Sequence, residues 1–173
     1  MKSQTYQTET EEETIALGEK LAAELPPRAV LLLIGQLGAG KTTLAKGIVK
    51  GLGAARAEDV SSPTFTLIHE YTPLPHGRGS VGGEPAAANT SRDREGAEAG
   101  AVVYHIDLYR LDTPAQVATL GLDEIFDRRA IVLIEWGERF PELMPEDRIE
   151  IRLRATGENS REIELRAPER AVQ

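Results

Sequence analysis

One stretch constrains this chain more than any other: Gly35-Gln-Leu-Gly-Ala-Gly-Lys-Thr42, set directly after the apolar run Val30-Leu-Leu-Leu-Ile34. A five-residue aliphatic run of this kind reads as a strand buried on both faces. After the glycines, Leu44, Ile48 and Leu52 fall four apart with Gly53 just beyond, which reads as a helix with a glycine C-cap. Strand, glycine-rich loop and helix in that order form a phosphate cradle. Successive backbone N–H groups and the helix N-terminus face the anion, the lysine ammonium reaches the terminal phosphates, and the hydroxyl ligates Mg²⁺. From the composition of this chain, Gly-x4-Gly-Lys-Ser/Thr arises by chance roughly 0.005 times. A glycine-rich turn that merely happens to precede a helix is therefore the weaker reading. The candidate nucleotide-binding residues are Gly35, Gln36, Leu37, Gly38, Ala39, Gly40, Lys41, Thr42 and Thr43, with Thr42 also a candidate Mg²⁺ ligand.

The rest of the chain alternates between the two periodicities. Thr10 and Glu13 have capping-box spacing, and Leu17, Leu21 and Leu25 carry an apolar stripe, so a helix is predicted from Glu11 to Leu25, stopped by Pro26 and Pro27. Phe65, Leu67 and His69 alternate after Pro63 and suggest a strand. Val102–Ile106 and Ile131–Ile134 read as two further buried strands, ending on Asp107 and Glu135 respectively. Between them, Asp112 or Thr113 caps a helix with Pro114 at its first position, running toward Phe126 with an interruption at Gly121. Ile149, Ile151 and Leu153, then the turn Gly157-Glu-Asn159, then Ile163 and Leu165 form a β-hairpin pattern. Residues 75–101 hold six Gly, six Ala and a single large aliphatic, Val81, too little apolar surface to offset ordering, and read as a disordered insertion. The expected fold is α/β: a three-layer P-loop NTPase sandwich with a mostly parallel sheet and a C-terminal β-hairpin, one domain over 1–173 interrupted at 75–101.

Composition narrows the function. At 173 residues, 40% hydrophobic and 28% charged, the chain is an ordinary globular domain. It has no cysteine, which removes disulfides, thiol nucleophiles and cysteine zinc sites. Its apolar runs fall far short of the roughly 20 residues a membrane span needs. Met1–Glu13 lacks the basic and apolar regions of a signal peptide, so a cytoplasmic location is expected. A net charge of −8 disfavours strong direct binding to nucleic acid, while leaving room for work in a nucleic-acid pathway through partners.

A phosphate loop of this type needs a carboxylate at the end of a neighbouring strand to hold the Mg²⁺ shell. Asp107 and Glu135 both stand in such a place, as candidate catalytic and metal-side residues alongside Lys41 and Thr42. One serves the metal while the other positions or polarises the attacking water, with the division open; a surface carboxylate at a strand end is the bland alternative for either. Ser61-Ser-Pro-Thr64 is either a nucleotide-sensing switch or a plain turn. Trp136 stacks on a base or a partner, or is a core anchor. His105 reads as a satisfied core or surface histidine more readily than as a supporting residue of the site, and Arg110 has no spacing that distinguishes a phosphate contact from a solvated arginine.

Four motifs in order, Gly35-Gln-Leu-Gly-Ala-Gly-Lys-Thr-Thr43, Ser62-Pro-Thr-Phe65, His105-Ile-Asp-Leu-Tyr-Arg-Leu111 and Ile134-Glu-Trp-Gly-Glu138, closely resemble the TsaE family of bacterial tRNA threonylcarbamoyladenosine (t6A) biosynthesis ATPases. The resemblance covers nearly the whole chain outside 75–101. It implies a small ATPase subunit binding ATP and Mg²⁺ and working with two ASKHA-fold proteins, the TsaD-type transferase and its TsaB-type paralogue, on adenosine 37 of tRNAs that read codons beginning with A. It further implies that hydrolysis, weak in the isolated subunit, supports turnover of that complex, that the subunit does not itself transfer the threonylcarbamoyl group, and that tRNA is met through the complex. Carried over by motif, Lys41 binds the β/γ-phosphates, Thr42 ligates Mg²⁺, Asp107 is a second carboxylate of the Mg²⁺ shell, and Glu135 with Trp136 belongs to the hydrolysis and nucleotide-end motif. The chain departs from the family pattern at Gln36, where Asp is frequent, at Gly137, where Pro is frequent, and in the length of 75–101, whose deletion is expected to leave ATPase activity intact.

Three other readings compete. A small nucleotide or metabolite kinase would need an arginine-rich lid, and Arg78, Arg92 and Arg94 among glycines and alanines make a poor clamp. A GTPase would need an Asn/Thr-Lys-x-Asp element, which the sequence lacks. A non-catalytic subunit sensing ATP differs from the ATPase only in whether partners stimulate hydrolysis.

Overall fold

The computed structural model describes residues 2–73 and 101–168. These build seven strands: β1 (Lys2–Thr8), β2 (Ala29–Ile34), β3 (Ile68–Tyr71), β4 (Val103–Asp107), β5 (Ile131–Glu135), β6 (Ile149–Ala155) and β7 (Arg161–Ala167). They form one sheet in the order β1-β7-β6-β2-β5-β4-β3. The pairs β6–β2, β2–β5 and β5–β4 are parallel, whereas β1–β7, β7–β6 and β4–β3 are antiparallel. The sheet is therefore mixed, which corrects the expectation of a mostly parallel one. Parallel neighbours need a crossover, whereas β3 with β4 and β6 with β7 are consecutive strands that pair antiparallel, and β1 adds antiparallel to the outer strand of the hairpin.

The apolar runs are buried on both faces because each face has its own helical cover. Leu31 and Leu33 of β2 with Ile131 and Leu133 of β5 pack with Leu17, Leu21, Leu44 and Ile48. Those four come from α1 (Glu11–Ala23) and α2 (Lys41–Gly51). The alternate residues Val30, Leu32, Val132 and Ile134 pack with Val117, Ile125 and Phe126. These belong to α3 (Pro114–Ala118) and α4 (Leu122–Phe126), capped by Thr113 and separated at Gly121, whose φ of 65° breaks the helix. Each aliphatic side chain buried this way contributes about 1.5–3 kcal/mol.

Two glycines set the position of α2. A Cβ on Gly47 would lie 2.1 Å from the Ile15 carbonyl oxygen, and one on Gly18 2.6 Å from that of Leu44, so α1 and α2 touch backbone to backbone. That contact fixes where the first turn of α2 meets the ends of the strands. Thr10 caps α1 by accepting from Glu13 N at 3.1 Å, while the Glu13 carboxylate accepts from Glu9 N at 2.7 Å.

Two expectations change. Phe65 is not in a strand: it is 85% exposed in a turn closed by Leu67 N donating to Pro63 O at 2.6 Å, and β3 starts only at Ile68. β1 had no apolar alternation to announce it, since only Tyr6 and Thr8 turn inward; backbone pairing with β7 makes the strand. The segment read as an insertion, 75–101, lies outside the described residues except for Ala101. Its flanks Tyr71 and Val103 are register partners, so the connection leaves and rejoins the sheet at one place. Among the described residues no helix is long and apolar enough to cross a membrane.

Candidate functional site at the carboxyl ends of the strands

The site begins where β2 gives way to the glycine loop. A Cβ on Gly35 would stand 2.6 Å from the Leu153 carbonyl oxygen, so the chain leaves the sheet pressed against β6. Gly38 and Gly40 then take φ of 78° and 99°, conformations that a side chain would strain, and α2 starts at Lys41. Lys41 is buried, and its ammonium donates to Gly35 O at 2.6 Å and Gln36 O at 3.0 Å. The Trp136 ring centroid lies 4.2 Å from the same nitrogen. Burial pushes the Lys41 pKa down from the usual lysine range, against the pull of Glu135, Glu138 and Asp107.

Asp107 and Glu135 are register partners on β4 and β5, and both are buried. Buried carboxylates require donors, and the two take theirs from different parts of the chain. Glu135 Oε1 accepts the Thr42 hydroxyl at 3.0 Å and stands 2.9 Å from His105 Nε2. Asp107 Oδ2 accepts from Ser62 Oγ at 2.7 Å and Thr64 Oγ1 at 2.8 Å, and its Oδ1 accepts from Tyr109 N at 2.8 Å. One carboxylate is thus bonded to the first turn of α2 and the other to the Ser-Pro-Thr turn.

A cavity of about 340 Å³ opens over these groups, bordered by Lys41, Thr42, Thr43, Asp107, Glu135 and Trp136 among others. Leu37, 79% exposed, stands at its rim. The two non-glycine residues with left-handed backbone among the described residues, Leu67 at φ 67° and Trp136 at φ 65°, both adjoin it: Leu67 O accepts from Asp107 N at 3.0 Å, and Trp136 follows Glu135. Strain of this kind in bulky residues clusters where a fold serves a site.

The structure brings Lys41, Thr42, Asp107, Glu135 and Trp136 together as the motifs suggested, but places others differently. Trp136 leans on the Tyr109 ring, with centroids 5.1 Å apart, and on Lys41. Arg110 lies over Phe65 at 4.9 Å and does not border the cavity. His105 is fully buried against Glu135. Sequence reasoning missed Arg161, whose guanidinium donates to Gly38 O at 3.3 Å and to carbonyls of the β6–β7 turn, the closest being Ser160 O at 2.8 Å. It also missed Glu138, whose buried Oε2 has no partner among the described residues and whose pKa is pushed up by burial. Arg161 carries no local signal, because an arginine after a turn is ordinary; Glu138 closes the fourth motif, yet nothing in that motif marks its carboxylate as buried.

Fold and site together define an α/β domain with a mixed seven-stranded sheet and a strand–glycine loop–helix element set beside two buried carboxylates. The family model described as threonylcarbamoyl adenosine biosynthesis protein TsaE matches residues 8–78 and 92–163, and the chain belongs to the TsaE family. The unmatched stretch between those ranges falls inside 75–101. The tRNA threonylcarbamoyladenosine biosynthesis protein TsaE of Bacillus subtilis (strain 168) is 36% identical over 169 residues, covering 96% of this chain and 87% of its own. The protein of the same description from Nostoc sp. (strain PCC 7120) is 38% identical over 158 residues, covering 89% and 80%. Among solved structures, the crystal structure of Bacillus subtilis YdiB matches with a TM-score of 0.67 at 30% identity, over 98% of this chain and 89% of that one.

Proposed function

We propose that this protein is a cytoplasmic P-loop ATPase that binds Mg-ATP and supports t6A formation at tRNA adenosine 37. In this reading it acts within a complex containing a TsaD-type transferase and its TsaB-type paralogue, and meets tRNA through that complex. The observation that carries the reading is the buried Lys41 ammonium at the mouth of the glycine loop, with the Thr42 hydroxyl bonded to Glu135 beside it. Membership of a family whose relatives are named for t6A biosynthesis supplies the pathway.

The residues fit a Mg²⁺-bound triphosphate. Lys41 satisfies itself on two carbonyls of its own loop, bonds it can exchange for phosphate oxygens, and the left-handed glycines leave backbone N–H groups free of Cβ cover. The Thr42 proton goes to Glu135, which leaves oxygen lone pairs for a cation, and Mg²⁺ is commonly held by one or two protein oxygens plus phosphates and water. When bound, Mg²⁺ neutralises charge on the terminal phosphates. Thr42 and Glu135 take the metal side in this scheme. Asp107, held by three donors, orients water and ties the site to Ser62 and Thr64, so the Ser-Pro-Thr turn responds to the nucleotide state.

Phosphate release from ATP and GTP by the purified protein, with and without the transferase pair and tRNA, tests the reading. Free phosphate from ATP, raised by the pair, is the expected result. Phosphate transferred to a small-molecule acceptor, indifferent to the pair, would replace it with a kinase; no stimulated hydrolysis despite ATP binding would leave an ATP-sensing subunit.

A further inference from the structure

His105 is fully buried on β4, two residues before Asp107, on the sheet face that α2 covers. On that face it stands beside the aliphatic Val103 and Leu133 and opposite His69, its register partner on β3, and the surface under α2 is otherwise packed with aliphatic side chains. The position holds a ring whose Nε2 lies 2.9 Å from Glu135 Oε1 and whose buried Nδ1 has no partner among the described residues. A half-satisfied buried polar ring costs stability, and the one bond it makes goes to the oxygen that also accepts the Thr42 hydroxyl.

The tautomer follows from the same geometry. An Nδ1–H ring would set the Nε2 lone pair against a carboxylate oxygen at 2.9 Å and leave a buried N–H without an acceptor. An Nε2–H ring makes the bond and leaves only a lone pair unpartnered. From this we infer that His105 is a positioning residue for ATP turnover: its Nε2–H holds Glu135 Oε1 where that oxygen receives the Thr42 hydroxyl and keeps the threonine lone pairs turned toward the cavity. The inference rests on the nucleotide reading above and names the group through which the sheet controls Glu135. Without His105 the Glu135 carboxylate keeps a single tether and can rotate away from Thr42.

Two measurements test it on the full-length chain. Long-range ¹H–¹⁵N spectra of the nucleotide-free protein, labelled at histidine and assigned with His105→Gln, should show His105 with a protonated Nε2. In ATP turnover with the partner proteins, His105→Leu, which fills the volume without a donor, should lower kcat about 10–100-fold. Its affinity for a non-hydrolysable ATP analogue should stay within about two-fold of wild type. His105→Gln, whose amide N–H can stand where Nε2–H stood, should recover kcat to within about three-fold of wild type. An unprotonated Nε2, a folded His105→Leu with unchanged kcat, or a His105→Gln as impaired as His105→Leu overturns the proposal. If His105→Leu does not melt cooperatively, the wild-type spectrum and the glutamine variant decide. The spectrum also reports on the His105–Glu135 bond when wild type hydrolyses no ATP, so failure of the nucleotide reading and failure of this proposal are separable.

Discussion

The two ends of the central sheet could hardly differ more. Where β2, β4 and β5 finish, a cavity of about 340 Å³ sits over buried Lys41, Asp107 and Glu135, and the two carboxylates are hydrogen-bonded to three hydroxyl side chains. Where β2 and β6 begin, a wider hollow of about 800 Å³ has an apolar floor including Val30, Phe126 and Met144 and a rim of charges such as Arg28, Asp123 and Glu142. Size alone would choose the second. Buried polar groups choose the first, because a fold has no need of an ammonium and two carboxylates in its interior, and retaining them costs stability unless something binds there. The parallel strands explain why the chemistry collects at one end: their carboxyl ends all point the same way, and loops and helix starts converge there.

Mutations at the two ends should therefore fail in different ways. Lys41→Ala at the loop end should cut ATP turnover by about 10²–10³-fold or more. Its Tm should stay within about 3 °C of wild type, because the group removed is one that burial already disfavours in charged form. Turnover assays beside thermal melts check this, and full turnover would remove Lys41 from the site. Phe126→Ala at the other end should do the reverse, costing about 3–5 kcal/mol of stability. Denaturant unfolding reads that loss, and titration calorimetry should find ATP affinity unchanged; a weakened affinity would mean that the two ends communicate.

The smallest expected effect concerns Glu138. Burial raises its pKa, so the folded state favours the protonated carboxyl. That contribution to stability is present below the ordinary glutamate range and is lost as pH rises through the raised pKa. Glu138→Gln, neutral throughout, should be the more stable protein at neutral and mildly alkaline pH, by up to about 1 kcal/mol or roughly 2–4 °C. The difference should shrink in acid. A gap independent of pH, or of opposite sign, would show that the unpartnered oxygen is not what burial penalises.

The residues of the glycine loop were legible in the sequence because they are contiguous: strand, loop and helix start follow one another, and each step has its own local signal. Asp107 and Glu135 were legible because an apolar run that stops on a carboxylate leaves it at a strand end. Their partners were not. Ser62 and Thr64 reach Asp107 across 45 and 43 residues, and nothing local to either segment records the pairing. Phe65 misled for the same reason, since alternation around it ignores the turn that those two hydroxyl contacts help hold. The edge strand β1 was invisible because backbone hydrogen bonds to β7 stabilise it, and these leave no mark on side-chain pattern.

By itself, then, the amino-acid sequence determined where strands and helices form around the glycine loop and which charged residues stand at strand ends. These depend on interactions among neighbours along the chain. Tertiary structure alone decided that the sheet is mixed, that Gly18 and Gly47 bring α1 and α2 into backbone contact, that Arg161 reaches Gly38, and that Glu135 belongs with Thr42 and His105 while Asp107 belongs with Ser62 and Thr64. The physical reason is that a buried carboxylate must find donors wherever packing offers them, and packing joins residues by distance in space, to which separation along the chain is indifferent.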